Sequence, residues 1–200
     1  MAAEGLGSHL EQVARDAKEA LEALGFEWAL VGGLAVSARS EPRFTRDVDL
    51  AVSVLTDREA EALARELQRS GYLILTVLEQ EVSGRLATIR LQPPGGEEHG
   101  VILDLLFSSS GIEPEIVQEA SSLEVFPDLE LPVAGVGDLL AVKVLARDDK
   151  RRPQDAIDIR ALLQVAAGTD LERAKSSLAL ITERGYHRKR DLLAELQRAL

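Results

Sequence analysis

Two aspartates in the run Asp47-Val48-Asp49-Leu50 carry the strongest chemical signal in the chain. Their alternation with Val48 and Leu50 predicts a strand, whose alternate residues share a face, so both carboxylates project together and the apolar pair enters the core. Carboxylates held side by side repel unless a cation lies between them. Hard oxygen donors of this kind suit Mg²⁺, which takes one or two carboxylates plus substrate phosphates. Separated from Asp47 by thirteen intervening residues, the pair Gly32-Gly33 follows the apolar run Trp28 to Val31. Glycines at a strand-to-helix turn let a phosphate approach the backbone, and the next helix offers free N–H groups and the positive end of its dipole. Together these features describe a nucleoside triphosphate site.

Asp104 is the third carboxylate. It stands within Val101-Ile102-Leu103-Asp104-Leu105-Leu106-Phe107, where an unpaired charge would cost several kcal/mol to bury. If its strand pairs beside the one that holds Asp47 and Asp49, the three converge and can hold two metal ions about 3.5–4 Å apart, as in-line phosphoryl chemistry requires. A strand end where the Asp104 carboxylate reaches solvent or an arginine is the alternative. Lys143 interrupts an apolar helix, with Leu139 and Leu140 one turn earlier on its own face, and this predicts a lysine drawn into a cleft with a triphosphate as partner. Its removal is expected to leave stability little changed or improved, because a lysine leaves an apolar helix face. Asp155 and Asp158 share a helical face after Pro153. Asp155 suits the helix dipole, and Asp158 an acceptor-side or lysine-pairing role. Arg147, Lys150, Arg151 and Arg152 form a cationic cluster that phosphate could contact.

The elements that must position these residues follow from periodicity. Three- and four-residue apolar steps predict a helix from His9 to Leu24, stopped by Gly25. A strand at 28–31, a helix at 34–39, a loop at 40–46 and a strand at 47–53 come next, then a helix at 57–70 capped by Thr56. Apolar segments at 72–78, 86–91 and 101–107 read as strands. Beyond Gly111 we expect a short helix at 114–120, brief apolar segments around Val125 and Leu131, and helices at 137–147, 153–165, 170–184 and 187–199. The expectation is an α/β (α+β) core over 1–130, a mixed sheet flanked by helices, with a helical C-terminal region over 131–200 completing the cleft.

Composition limits the rest. Twenty-three basic against 34 acidic side chains leave a net charge of −11, which repels nucleic acid on average, so a bound polyanion must meet a local cationic patch. No apolar run reaches the roughly 18–20 residues of a membrane span, and the polar N-terminus does not resemble a signal peptide, so a cytoplasmic protein is expected. There is no cysteine, and His9, His99 and His187 are too scattered for a zinc site, with His9 and His99 expected at the surface. Asparagine is absent and 18 of 23 basic residues are arginine, as in a thermophile or under a GC-rich genome.

The arrangement of a hydrophobic residue, Gly-Gly, a spacer and Asp-hydrophobic-Asp-hydrophobic resembles the nucleotidyltransferase superfamily related to DNA polymerase beta. Arg43-Phe44-Thr45-Arg46-Asp47 and Asp138-Leu139-Leu140-Ala141-Val142-Lys143, followed by Arg151-Arg152-Pro153-Gln154-Asp155 and Asp158, look like the branch of AbiEii-type toxins and minimal nucleotidyltransferases. The resemblance spans about residues 26–165. It implies Mg²⁺-dependent transfer of a nucleoside monophosphate from an NTP to an acceptor hydroxyl, with two Mg²⁺ or Mn²⁺ ions. Asp47, Asp49 and Asp104 would be the metal ligands, Gly32, Gly33, Arg43, Thr45 and Lys143 the nucleotide side, and Arg151, Arg152, Asp155 and Asp158 the acceptor or phosphate side. A cognate antitoxin is the implied protein partner. The acceptor stays open: charge balance favours a small molecule or a protein, while Arg43, Arg46 and the 147–152 cluster could grip a tRNA end. A regulatory or toxin–antitoxin protein with weak or lost chemistry is the rival, and a glycosyltransferase built on Asp-X-Asp is a remoter one.

Overall fold

A computed structural model describes residues 2–81, 83–95 and 100–200. His99 and Gly96 lie outside these residues. Helix α1 (Ala2–Ala23) buries Leu10, Val13, Ala14, Ala17 and Leu21, the stripe that its periodicity marks, while Leu24 falls beyond the helix and is exposed. Strand β1 (Trp28–Val31) runs into α2 (Gly32–Arg39), and β2 (Asp47–Val52) follows the loop. Helix α3 (Asp57–Arg69) starts with a reciprocal cap, Thr56 accepting from the Glu59 N–H and Glu59 from the Thr56 N–H. Strands β3 (Leu73–Glu79), β4 (Leu86–Gln92) and β5 (Ile102–Leu106) precede α4 (Glu113–Gln118) and the hairpin β6 (Ser121–Phe126) and β7 (Leu129–Val133). Four helices close the chain: α5 (Val136–Ala146), α6 (Pro153–Val165), α7 (Gly168–Glu183) and α8 (Leu192–Ala199).

One seven-stranded mixed sheet, ordered β3-β4-β5-β2-β1-β7-β6, runs through the molecule. β1 lies antiparallel to β2, β2 parallel to β5, and β1 parallel to β7 through Leu30 and Val133. The expected mixed α/β architecture with a helical C-terminal region is therefore present.

An element boundary near the C-terminus differs from expectation. The helix expected over 187–199 begins only at Leu192, because Arg188 and Lys189 adopt left-handed backbone angles (φ 52° and 60°) that no right-handed helix accommodates. The expected division at 130/131 falls inside β7, so the strand itself carries the chain across it. The helical region is joined by buried polar contacts: Asp138 on α5 accepts from Arg173 Nε at 2.9 Å and from Ser177 Oγ at 2.6 Å, both on α7. Gly137 lets the two helices approach closely, since a Cβ there would lie 2.5 Å from the Asp170 carbonyl oxygen. Among the described residues no helix is long and apolar enough to cross a membrane.

Candidate active site

Register along three adjacent strands sets the acidic centre. Asp49 faces Val31 at the end of β1 on one side and Asp104 of β5 on the other. Asp47 lies two residues from Asp49 along β2, on the same face. Above them opens a cleft of ≈ 650 Å³. Gly32, Gly33, Arg43, Thr45, Asp47, Asp49, Asp104, Lys143, Arg151, Arg152 and Asp155 all line it, whereas Asp158 is buried behind the wall.

The glycine pair has a reason internal to the protein. Gly32 sits at φ +65°, and a Cβ there would run into the Asp49 carboxylate. Its absence lets the carboxylate lie against the start of α2, where the Gly33 N–H donates to it. At Gly33 a Cβ would meet the Arg43 guanidinium. Thr45 accepts a long 3.4 Å bond from the Asp47 N–H, and Arg46 stacks over Phe44 at 5.4 Å.

The cleft wall holds a relay of alternating charge. Lys143 Nζ lies 3.1 Å from Asp155 Oδ1 and 2.8 Å from Asp158 Oδ2. Arg43 grips Asp158 through Nε at 2.6 Å and Nη2 at 2.9 Å, and Arg152 reaches Asp155 at 3.0 Å. Burial pushes the Asp158 carboxyl up, but the bonds from Lys143 and Arg43 outweigh it and hold the group below the usual carboxylate range. The lysine-pairing role considered for Asp158 is the one observed. Lys143 borders the cleft, and two buried carboxylates hold its ammonium.

Asp104 meets a partner that sequence alone did not single out. Arg90, its register neighbour on β4, binds it with Nε–Oδ1 at 2.9 Å and Nη2–Oδ2 at 2.6 Å. Both alternatives for Asp104 thus coexist: it lies beside Asp49, and its oxygens face an arginine. As the side chains stand, no group of three or more acidic or histidine residues among the described residues is arranged to hold a metal ion. The donor chemistry at Asp47 and Asp49 nevertheless fits a hard divalent cation. Burial, followed by the charges of Asp104 and Asp47, pushes Asp49 up to about 7, and burial with Asp104 raises Asp47, although Arg90, Arg152 and Arg43 oppose this. A carboxylate pair in this state gains from a cation placed between its members.

A family model described as the nucleotidyl transferase AbiEii toxin, type IV toxin–antitoxin system, matches residues 17–200. No curated protein matches the chain in sequence. In fold it is similar to an antigenic nucleotidyltransferase-like protein from Paracoccidioides brasiliensis, at 20% identity and a TM-score of 0.52 over 94% of this chain and 92% of that one. It is also similar to the lincosamide antibiotic adenylyltransferase LnuA in its lincomycin-bound form (17% identity, TM-score 0.51, 78% of this chain and 98% of that one). The antibiotic-resistance factor ANT(2'')-Ia gives 17% identity and a TM-score of 0.53 over 92% of this chain and 94% of that one.

Proposed function

Because the chain belongs to the family of AbiEii nucleotidyl transferase toxins, we propose that it moves a nucleoside monophosphate from an NTP to an acceptor hydroxyl, in a Mg²⁺-dependent reaction that releases pyrophosphate. One observation carries this reading: Asp47 and Asp49 share a face of β2, with Asp49 against the N-terminal turn of α2 and in register with Asp104. Asp47 and Asp49 would hold Mg²⁺, with Asp104 joining them when Arg90 releases it. Two ions, Mg²⁺ or Mn²⁺, would neutralise phosphate charge and acidify the acceptor hydroxyl.

The chain's own residues supply position and charge. The N–H groups at the start of α2, with Arg43, Thr45 and Lys143 along the same wall, orient the triphosphate. The acceptor oxygen then bonds to the α-phosphorus while the bond from that phosphorus to the α,β-bridging oxygen breaks. Pyrophosphate leaves with the electron pair, and the acceptor proton departs toward Asp104. Arg151, Arg152 and Asp155 back the acceptor side, Asp158 holds Lys143 and Arg43 from behind the wall, and a cognate antitoxin would be the protein partner.

The test is incubation with each of the four α-labelled NTPs and Mg²⁺, offering cellular RNA, total protein and a panel of hydroxylated small molecules. Label should reach one acceptor class with the native protein and none with Asp49→Asn. Asp49→Asn turnover within about twofold of native would overturn the assignment. The bidentate Arg90–Asp104 pair favours a second reading, a nucleotide-binding regulator with little turnover. That protein would gain melting temperature from Mg²⁺ and NTP yet transfer no label.

A further inference from the structure

The segment Tyr186 to Arg190 has no part in the chemistry above, yet Arg188 lines the same cleft. Arg188 and its neighbour Lys189 both hold left-handed backbone angles, a conformation that side chains with a Cβ rarely adopt and that persists only where the surroundings impose it. The surroundings do so from both ends. Tyr186 packs its ring on Gly111, where a Cβ would come within 2.7 Å of the ring, and its hydroxyl lies 2.5 Å from Ser108 Oγ. Arg190 donates to the carbonyl oxygens of Val144 and Leu145, each at 2.9 Å, and pairs with Glu195.

This strained, pinned turn presents an exposed arginine at the border of the cleft. Among the described residues no side chain hydrogen-bonds or ion-pairs with Arg188. Partial burial lowers its affinity for a proton, and the charges of Arg190 and Arg152 lower it further, with Glu81 acting the other way. Position separates Arg188 from the glycine turn. Ser83, in the turn between β3 and β4, lies 3.4 Å from the Tyr186 hydroxyl, and Glu81 of the same turn is close enough to act on Arg188. The segment therefore flanks the β3–β4 side of the sheet, whereas Gly32 and Gly33 follow β1, beyond β5 and β2 in strand order. Phosphate oxygens match an arginine fork, and a pair of like-charged arginines gains from an anion between them.

We propose that Arg188, with Arg152 on the lining of the same cleft, is the seat of a phosphate group carried by the acceptor, separate from the place of the NTP triphosphate at the start of α2. The proposal rests on the transferase reading and narrows its substrate class to acceptors that bear a phosphate next to the reacting hydroxyl.

Calorimetric titration of inorganic phosphate into the full chain tests it, first alone and then with Mg²⁺ and a non-hydrolysable α,β-methylene NTP analogue at saturation. The native protein should bind phosphate in both arms. Arg188→Gln should weaken phosphate binding by about tenfold, as loss of a charge-assisted pair implies, and leave analogue affinity within about twofold. Arg188→Gly keeps the left-handed backbone without strain, so it should lose phosphate binding without losing melting temperature. Phosphate that is displaced by the analogue, or analogue binding weakened by Arg188→Gln, would give the seat to the triphosphate and overturn the proposal. No phosphate binding by the native protein, or a lower melting temperature in Arg188→Gly, would overturn it as well. Failure of the analogue to bind in any form would count against the transferase reading, while the phosphate-only arm would still judge the seat.

Discussion

Burial and the neighbouring Asp104 and Asp47 carboxylates lift the Asp49 carboxyl to about 7. Its folded value lies above its unfolded one, so its ionisation removes stability as pH rises through neutrality, and the loss is complete above that range. Asp49→Asn should therefore stabilise the metal-free protein at pH 8 by about 1–3 kcal/mol in denaturant titration, while ending label transfer. Lys143 responds in the opposite sense. Removing its ammonium leaves the buried Asp155 and Asp158 with their arginine partners Arg152 and Arg43, so Lys143→Ala should cost about 1–3 kcal/mol on the same measurement. Asp158 is held below its ordinary value, so its contribution is full above about pH 4 and disappears as pH falls through the depressed folded value. Acid unfolding curves of Asp158→Asn should accordingly be flatter below pH 4 than those of the native chain.

At the scale of elements, signals that are local in sequence were readable and those that depend on pairing were not. The stripe on α1, the alternation in β2 and the start of α3 at Thr56 each reside within one segment and agree with the fold. The capping box on α3 gives a direct check: Thr56→Ala should cost about 1 kcal/mol in thermal or denaturant unfolding and leave nucleotide binding unchanged. The Asp47–Asp49 face was legible for the same reason. Arg90 was not, because its meeting with Asp104 depends on the register of β4 against β5, which no single segment specifies. Arg188 was missed because its left-handed backbone carries no glycine or proline to announce it. The apolar segment at 72–78 reads as a strand, and β3 is an edge strand with Leu73, Leu75, Val77 and Leu78 exposed; burial there depends on which strands lie beside it.

At the scale of the whole molecule, the question is whether the sheet and the C-terminal helices fold separately. One continuous apolar core contains Leu30 of β1, Val36 of α2, Val133 of β7 and Leu139, Leu140 and Val144 of α5. β1 lies between β2 and β7, and β7 is where the chain leaves the sheet for α5. Cutting at residue 130 would leave β1 with an unpaired edge in the middle of the sheet. It would also expose the face of α2 that packs against α5 and α6. The charge relay from Arg43 on the β2 side to Lys143 and Asp158 on the helical side crosses the same division. Calorimetry should accordingly give one unfolding transition with equal calorimetric and van't Hoff enthalpies. A fragment of residues 1–130 should lack native near-ultraviolet circular dichroism. Two transitions, or a fragment with that signal, would show that the sheet folds without the helices, and the relay would then form only when the two halves dock.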